Sequence, residues 1–456
     1  MSRRYQHIIL SVLCCSATST VAFGQTSFEV YTQNSFNKAV VALIRLSESP
    51  EQAAPFKLLQ SQIGASFNSV PTILKTIDAR RALEFQSEEA KAALLPRATL
   101  AVGGGNKDQN LTSYQSDGNS NSVTASVSQL LYDFGTSTSG YQSSKDKLRA
   151  ARFGIANQRS EVLLQLLTVT LEVQRTRQNL VFTQGYVDAR RDFLKLVQEK
   201  EKLGAGSSLD IIRARTKLAE ALDELPTADK RLKTAEASYK SLFGAPPVFK
   251  EQAHQLPQLA GSKTAATINE YLTGLNAFRE AESTVAALKN DYASGRGRLF
   301  GAFTFEAART ESQDRPLRKN TVESAMVMYR VDIFSGFAQT ARAKALAAKA
   351  SEAEFERDRI RRDLMRKLEV AYAEVDATQA AFVARLEFLK GAQATDIATR
   401  DLFFLNRGTL TDVFKAQEDV FSAAQKLISA DYDRKVAIYS LFHLNDQLLE
   451  LFDLNS

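Results

Sequence analysis

The chain repeats itself at a fixed spacing of 202 residues. Leu203, Gly206, Asp210 and Ala214 are matched without a gap by Leu405, Gly408, Asp412 and Ala416. Upstream, Val162, Leu166, Val169, Val173, Thr176 and Leu180 correspond to Leu364, Leu368, Ala371, Val375, Thr378 and Phe382. Both series step by 4, 3, 4, 3 and 4 residues, which is the seam of a coiled coil. Tyr132 likewise meets Phe334. One offset carried through seam, turn and aromatic position means two copies of one unit.

Each copy reads in the same order. A short strand segment comes first, Arg97 to Gly103 and Leu299 to Ala307. A polar loop follows, Gly104 through Asn121 and Arg309 through Thr321. The second strand alternates Val123, Ala125 and Val127 with Thr124, Ser126 and Ser128. In copy two Ala325, Val327, Tyr329, Val331 and Ile333 alternate with Ser324, Met326, Met328, Arg330 and Asp332. Period-two alternation predicts strands with one apolar face. Aromatic–Gly breaks, Tyr132-Asp-Phe-Gly135 and Phe334-Ser-Gly336, close the hairpins. Helical patterning then runs for about 65 residues, roughly 100 Å, to each Gly turn and resumes for about 35 more. Ala338, Ala341, Ala345 and Ala348 read as a close-packing seam on the second long helix.

The remaining segments fit around this plan. Phe36 to Gln62 and Thr72 to Ala93 read as helices leading into copy one, with breaks at Pro50, Pro55 and Pro71. Thr264 to Tyr292 reads as the helix leading into copy two. The expected domains are a leader at 1–24, a first repeat at 25–244 with a hairpin near 97–133, a linker at 245–261, and a second repeat at 262–456 with a hairpin near 298–334.

Composition narrows the function classes. At 44% hydrophobic the chain can bury apolar surface, so disorder is excluded. The only two cysteines, Cys14 and Cys15, fall in a stretch that reads as a secretory signal: Arg3 and Arg4, an apolar run from Ile8 to Leu13, and Ala22-Phe-Gly24 before Gln25. Ser11-Val12-Leu13 ahead of Cys14 argues against lipidation. Loss of Arg3 and Arg4 lowers the net charge from +6 to +4, too little and too spread for nucleic acid. His7, His254 and His443 are scattered, so no metal site or cofactor is expected. No later run offers about 18 apolar residues, which excludes a polytopic helical membrane protein.

Four strands with an apolar face and aromatics near their ends (Tyr132, Phe303, Phe305, Tyr329, Phe334) fit either part of an outer-membrane barrel or a small soluble β-cap on a helical bundle. In the first case four strands cannot close by themselves and lipid does not tolerate an open edge, so closure demands several chains. Ala93-Leu-Leu-Pro96, Leu130-Leu-Tyr-Asp-Phe-Gly135, the paired Gly206…Asp210 and Gly408…Asp412 turns, and Leu242-Phe-Gly244-Ala-Pro carry a resemblance to the outer-membrane efflux proteins, the TolC family. It extends from about Phe36 to Leu451, with Gly295-Arg-Gly-Arg298 departing where copy one has its Leu-Leu-Pro. The resemblance implies a mainly α fold with a membrane β-barrel portion: a homotrimer whose four strands per chain make a 12-stranded barrel above a long α-helical coiled-coil tunnel. It further implies contact with outer-membrane lipid, a periplasmic adaptor (membrane fusion) protein, and an inner-membrane ABC or proton-driven transporter.

Expected site residues follow. Gly206, Ser207, Ser208, Gly408, Thr409 and Leu410 are expected at helix tips that face the adaptor, the glycines in left-handed helix ends and the hydroxyls as N-caps. The resemblance places Asp412 at a periplasmic constriction, with Asp210 as its counterpart. Lys415 stands where the family's best-known member has an acid, and Arg213 matches it in copy one. Arg407 completes a mixed belt that inter-helix ion pairs would latch. Glu306, Glu323, Arg330 and Asp332 are expected in the barrel lumen.

No constellation of nucleophile, base and glycine loop points to an enzyme. Gly103-Gly-Gly105 lacks the Gly-Lys-Ser/Thr of a phosphate loop. The function expected is an exit duct of a tripartite export system, leaning to type I protein secretion, with multidrug or metal efflux as the alternative. A periplasmic coiled-coil scaffold or adaptor without a pore is the reading from another class.

Overall fold

A computed structural model describes residues 35–48, 56–67, 70–111, 114–204, 206–247, 256–257, 271–314 and 318–454. The signal segment and most of the linker lie outside them. The elements are α1 (Ser35–Glu48), α2 (Phe56–Phe67), α3 (Pro71–Ala92), β1 (Arg97–Leu111), β2 (Tyr114–Tyr132), α4 (Thr136–Lys202), α5 (Ser208–Phe243), α6 (Asn276–Gly297), β3 (Ala302–Asp314), β4 (Arg318–Arg330), α7 (Ala338–Phe404), α8 (Leu410–Leu444) and α9 (Leu448–Leu451). The duplication is visible in the bounds. α4 and α7 are both 67 residues long and both start and stop 202 residues apart. α5 and α8 begin at the same offset.

The described residues fall into two compact units. One comprises residues up to 63, 166–259 and 374–438; the other comprises 64–165, 260–373 and 439 onward. In the first, α1, α4, α5, α7 and α8 bury Phe36, Val40, Phe182, Val187, Ala221, Leu386, Leu389, Val420 and Leu427, and Tyr186 stacks on Phe421 at 4.3 Å. α5 buries Ala214, Ala221, Ala228 and Ala235, one alanine per heptad, so its backbone approaches its neighbours closely. The second unit holds the sheet, and its helices pack Leu272, Leu275 and Phe278 against Leu364 and Leu368. The predicted seam is buried at Val162, Leu166, Val173 and Thr176 and at Leu364, Leu368, Val375 and Phe382. The alanines at the start of α7 correct the reading. Ala343 and Ala350 are the buried pair, whereas Ala338, Ala341, Ala345 and Ala348 are exposed.

The strands form one antiparallel sheet in the order β1-β2-β3-β4. They run further than the alternation suggested. The polar stretches read as loops are paired strand almost to the hairpin tips, with Leu111 opposite Tyr114 and Asp314 opposite Arg318. The ladder is made by backbone N–H and C=O groups, so it continues after the side chains lose their apolar face. Conversely, Leu299 and Phe300 lie in a 3₁₀ turn, and β4 stops at Arg330, short of Asp332 and Ile333.

Both strand-to-helix breaks use two consecutive left-handed residues, Phe134 and Gly135 in copy one and Gly336 and Phe337 in copy two. A left-handed Phe is uncommon, and both are held by rings: Phe134 lies 4.9 Å from Tyr132 and 5.4 Å from Phe300, and Phe337 lies 5.6 Å from Phe334.

Candidate functional site: sheet faces and helix turns

Register assigns every strand residue to a face. Thr99, Thr124, Ser126, Ser128, Thr304, Glu306, Thr310, Ser324 and Arg330 share one face, interrupted by Val322, Met326 and Met328. Thr99 and Ser126 hydrogen-bond across it at 2.6 Å, and Thr124 and Thr310 at 3.1 Å. The other face carries Leu100, Val102, Val123, Val127, Phe303, Phe305, Val327 and Tyr329. Leu100 is 71% and Val102 76% exposed, so the apolar side is uncovered among the described residues. A register shift between Leu130 and Tyr132 turns Tyr132 onto that face, opposite Phe303. Phe303 in turn stacks on Tyr329 at 4.5 Å. The result is a cluster of rings at the strand ends nearest the helices.

This register sorts the expected lumen residues. Glu306 and Arg330 share the polar face. Glu323 lies on the opposite face, directly across from Arg309, and pairs with it at 3.2 Å. The reading failed there because Glu323 has the same parity as Ala325 and Val327. Asp332 lies beyond the end of β4 and accepts a hydrogen bond from Gln339 Nε2. Among the described residues no helix is long and apolar enough to cross a membrane.

The two helix turns belong to the first unit. The left-handed residues are Gly204 (φ 73°) and, 202 positions on, Asn406 (φ 56°), not Gly206 and Gly408. Asn406 N–H donates to Phe403 O and Arg407 N–H to Leu402 O, the two bonds of a Schellman closure. Gly206 and Gly408 serve close approach instead. A Cβ on Gly206 would lie 3.0 Å from Glu201 N, and one on Gly408 3.1 Å from Phe403 N. Ser207 Oγ accepts the Leu209 N–H and caps α5. At α8, Thr409 Oγ1 accepts the Asp412 N–H at 3.2 Å while Asp412 Oδ2 accepts from Thr409 N at 3.3 Å and Thr409 Oγ1 at 2.6 Å. Asp412 is thus held in a capping box.

Asp210 occupies the first turn of α5. Arg213, Arg407 and Lys415 are exposed, and none forms an ion pair with Asp412 among the described residues. The charges that tie the helices together lie further in. Lys217 of α5 bridges to Glu418 of α8 at 2.9 Å, and Lys200 Nζ donates to Asn406 Oδ1 at 2.8 Å, joining the two turns. Burial lowers the Lys200 ammonium pKa, partly opposed by Asp210. Asp396 and Arg400 form a buried pair at 2.6 Å, and burial raises the Asp396 carboxyl against the pull of Arg400.

Exposure at the turns also differs from expectation. Leu410 is buried among Phe193, Phe403, Val413 and Phe414 and offers no outward contact. The exposed apolar groups are Leu203 and Leu405, at 66% and 65%, with Leu209 and Ile212 beside them. Their signal was present in the sequence, since Leu203 and Leu405 open the repeated motif.

Residues 66–245 match the family of outer membrane efflux proteins. The outer membrane efflux protein BepC of Brucella suis biovar 1 is 21% identical over 427 residues, 92% of each chain. Among solved structures, the open-state MtrE outer membrane channel of Neisseria gonorrhoeae superposes with a TM-score of 0.74 at 14% identity, covering 86% of this chain and 89% of MtrE. The CmeC outer membrane channel of Campylobacter jejuni gives 0.72 at 11% identity, covering 98% and 93%.

Proposed function

We propose that this chain, which belongs to the outer membrane efflux protein family, is one third of an exit duct through the outer membrane of a Gram-negative cell. Three chains would pool their sheets into a twelve-stranded barrel, and their paired long helices would continue it as a periplasmic tunnel. The observation that carries this reading is the open sheet. Among the described residues β1 and β4 are long edge strands without an outer partner, and they border an exposed apolar face. In lipid such edges must be paired, and further copies of the same sheet supply that pairing. Exposed Phe355, Val370, Val383 and Phe388 on α7 support the same self-association.

The polar face would then line the lumen, with Glu306 and Arg330 wetting it. The turns around Gly206, Ser207, Ser208, Gly408 and Thr409 would meet a periplasmic adaptor joined to an inner-membrane transporter, through Leu203 and Leu405. Asp210, Arg213, Arg407, Asp412 and Lys415 would ring the mouth. Signal cleavage near Gln25 and the two-repeat division at 25–244 and 262–456 belong to this proposal.

Fractionation with cross-linking tests it: an outer-membrane trimer is expected, and a soluble periplasmic monomer would overturn it. Type I protein secretion and multidrug or metal efflux would use the same duct, and BepC's description as an efflux protein supports the second. A deletion strain separates them: loss of a secreted protein assigns the first, and gained drug or metal sensitivity assigns the second.

A further inference from the structure

Where the strands meet the long helices, the second unit has a partly open cleft of about 490 Å³ with a mixed polar and apolar lining. Arg298, Arg330 and Arg342 line it, together with Asp133, Asp332 and Gln339. They arrive from different elements: the 3₁₀ turn after α6, the last residue of β4, and the first turns of α7. Neither carboxylate forms an ion pair with them among the described residues. Asp133 is buried and its Oδ2 accepts the Ser137 N–H at 2.6 Å, fixing the start of α4. Asp332 Oδ2 accepts from Gln339 Nε2 at 3.0 Å. Among the described residues, ion pairs within 4.0 Å are made by many arginines, Arg309 with Glu323 for instance, but by none of these three. All three are exposed and so reachable by a ligand.

Guanidinium forks match the oxygen geometry of phosphate in paired hydrogen bonds, and several around one cavity focus positive potential into it. The volume falls in the range of small-molecule sites, larger than a bare phosphate needs. The start of α4 is not itself the site, since Asp133 already occupies it. We infer that this cavity binds a phosphate group, through the convergence of Arg298, Arg330 and Arg342 at the strand–helix junction.

The test uses the full chain purified in a nonionic detergent and titrated calorimetrically with inorganic phosphate. Saturable binding is expected, weakened at least about ten-fold by the double substitution Arg330→Gln with Arg342→Gln. Arg309→Gln, on the opposite face of the sheet, is expected to leave it unchanged. Asp332→Asn keeps all three arginines and removes a competing charge, so it should tighten binding; this variant reads the site even if the double variant fails to fold. Absence of binding to the wild type, equal weakening by Arg309→Gln, or no tightening by Asp332→Asn overturns the inference. Competition with phosphatidylcholine vesicles, with and without phosphatidic acid, identifies the source. Displacement of phosphate only by the acid-containing vesicles assigns a lipid headgroup, and continued phosphate binding in their presence assigns a soluble phosphate compound.

Discussion

Arg190 donates to Gln417 Oε1 at 2.8 Å although 227 residues separate them. Its side chain is 1% exposed, gives further hydrogen bonds to Tyr186 Oη at 2.6 Å and Phe414 O at 3.2 Å, and lies over the rings of Tyr186 and Phe414. Its Nε is buried without an acceptor. The group therefore joins α4 to α8 by directional bonds that a lysine cannot reproduce. Arg190→Met should destabilise the fold by about 2–3 kcal/mol, since it leaves buried acceptors unmet. Arg190→Lys should recover less than half of that loss. Denaturant titration of both variants checks the order.

At the helix turns, two glycines should fail for different reasons. Gly204→Ala meets no neighbouring atom within 4 Å, but it forces a side chain into φ 73°, at about 1–2 kcal/mol. Gly408→Ala leaves the dihedrals accessible and drives a Cβ against Phe403 N at 3.1 Å. Gly204→Asn should rescue most of the first loss, because Asn406 holds the same conformation in copy two. Gly408→Asn should rescue none. Thermal midpoints of the four variants separate conformational from steric cost.

Asp412 caps α8, and its removal should be felt as stability. Asp412→Ala should cost about 1 kcal/mol, and Thr409→Ala about the same. The double variant should cost less than the sum of the two, because one reciprocal interaction is lost only once. Single-channel recording on Asp412→Ala and Lys415→Ala asks the separate question of the mouth. Unchanged selectivity and gating in both would remove these residues from the constriction.

Leu203→Ser and Leu405→Ser should leave the melting temperature within about 1 °C of wild type, because both side chains are two-thirds exposed. They should nevertheless weaken adaptor capture. Leu410→Ser, on a buried residue, should do the reverse and destabilise the turn itself. Equal adaptor binding by wild type and the Leu203/Leu405 double variant would detach the turns from docking.

His443 is buried and its Nδ1 shares a 2.7 Å hydrogen bond with Ser160 Oγ. Burial lowers its pKa; Glu161 opposes that shift and Lys367 adds to it. A depressed folded-state value means the neutral ring stabilises the fold above the unfolded pKa of about 6.5, and that contribution is lost as pH falls through the folded value. Unfolding free energy should therefore drop more steeply on acidification for the wild type than for His443→Gln. Parallel pH profiles would refute a stabilising neutral ring.

What is local or periodic could be read directly from the order of residues. The 202-residue offset fixed the copy number, the step of 4 and 3 fixed the buried stripe of α4 and α7, and Ser207 and Thr409 marked helix starts that the structure places at Ser208 and Leu410. Helix caps and heptad stripes are decided within a few residues, so they can be read from neighbours in the chain. Strand faces were legible from alternation, which also puts Glu323 on the face of Ala325 and Val327, whereas its pairing with Arg309 is set by register. How far the polar hairpins pair emerged from the folded chain alone, because backbone ladders ignore side-chain polarity. Folding also decided that a bulge turns Tyr132 to the apolar face, and that Leu410 is buried while its motif-mate Leu405 is exposed. The three arginines at the strand–helix junction, carried by successive segments of copy two, became a site only when both ends of its hairpin and the following helix start were brought round one cleft. Juxtaposition of that kind depends on how successive segments turn back and pack on one another, and no periodic pattern in the chain encodes it.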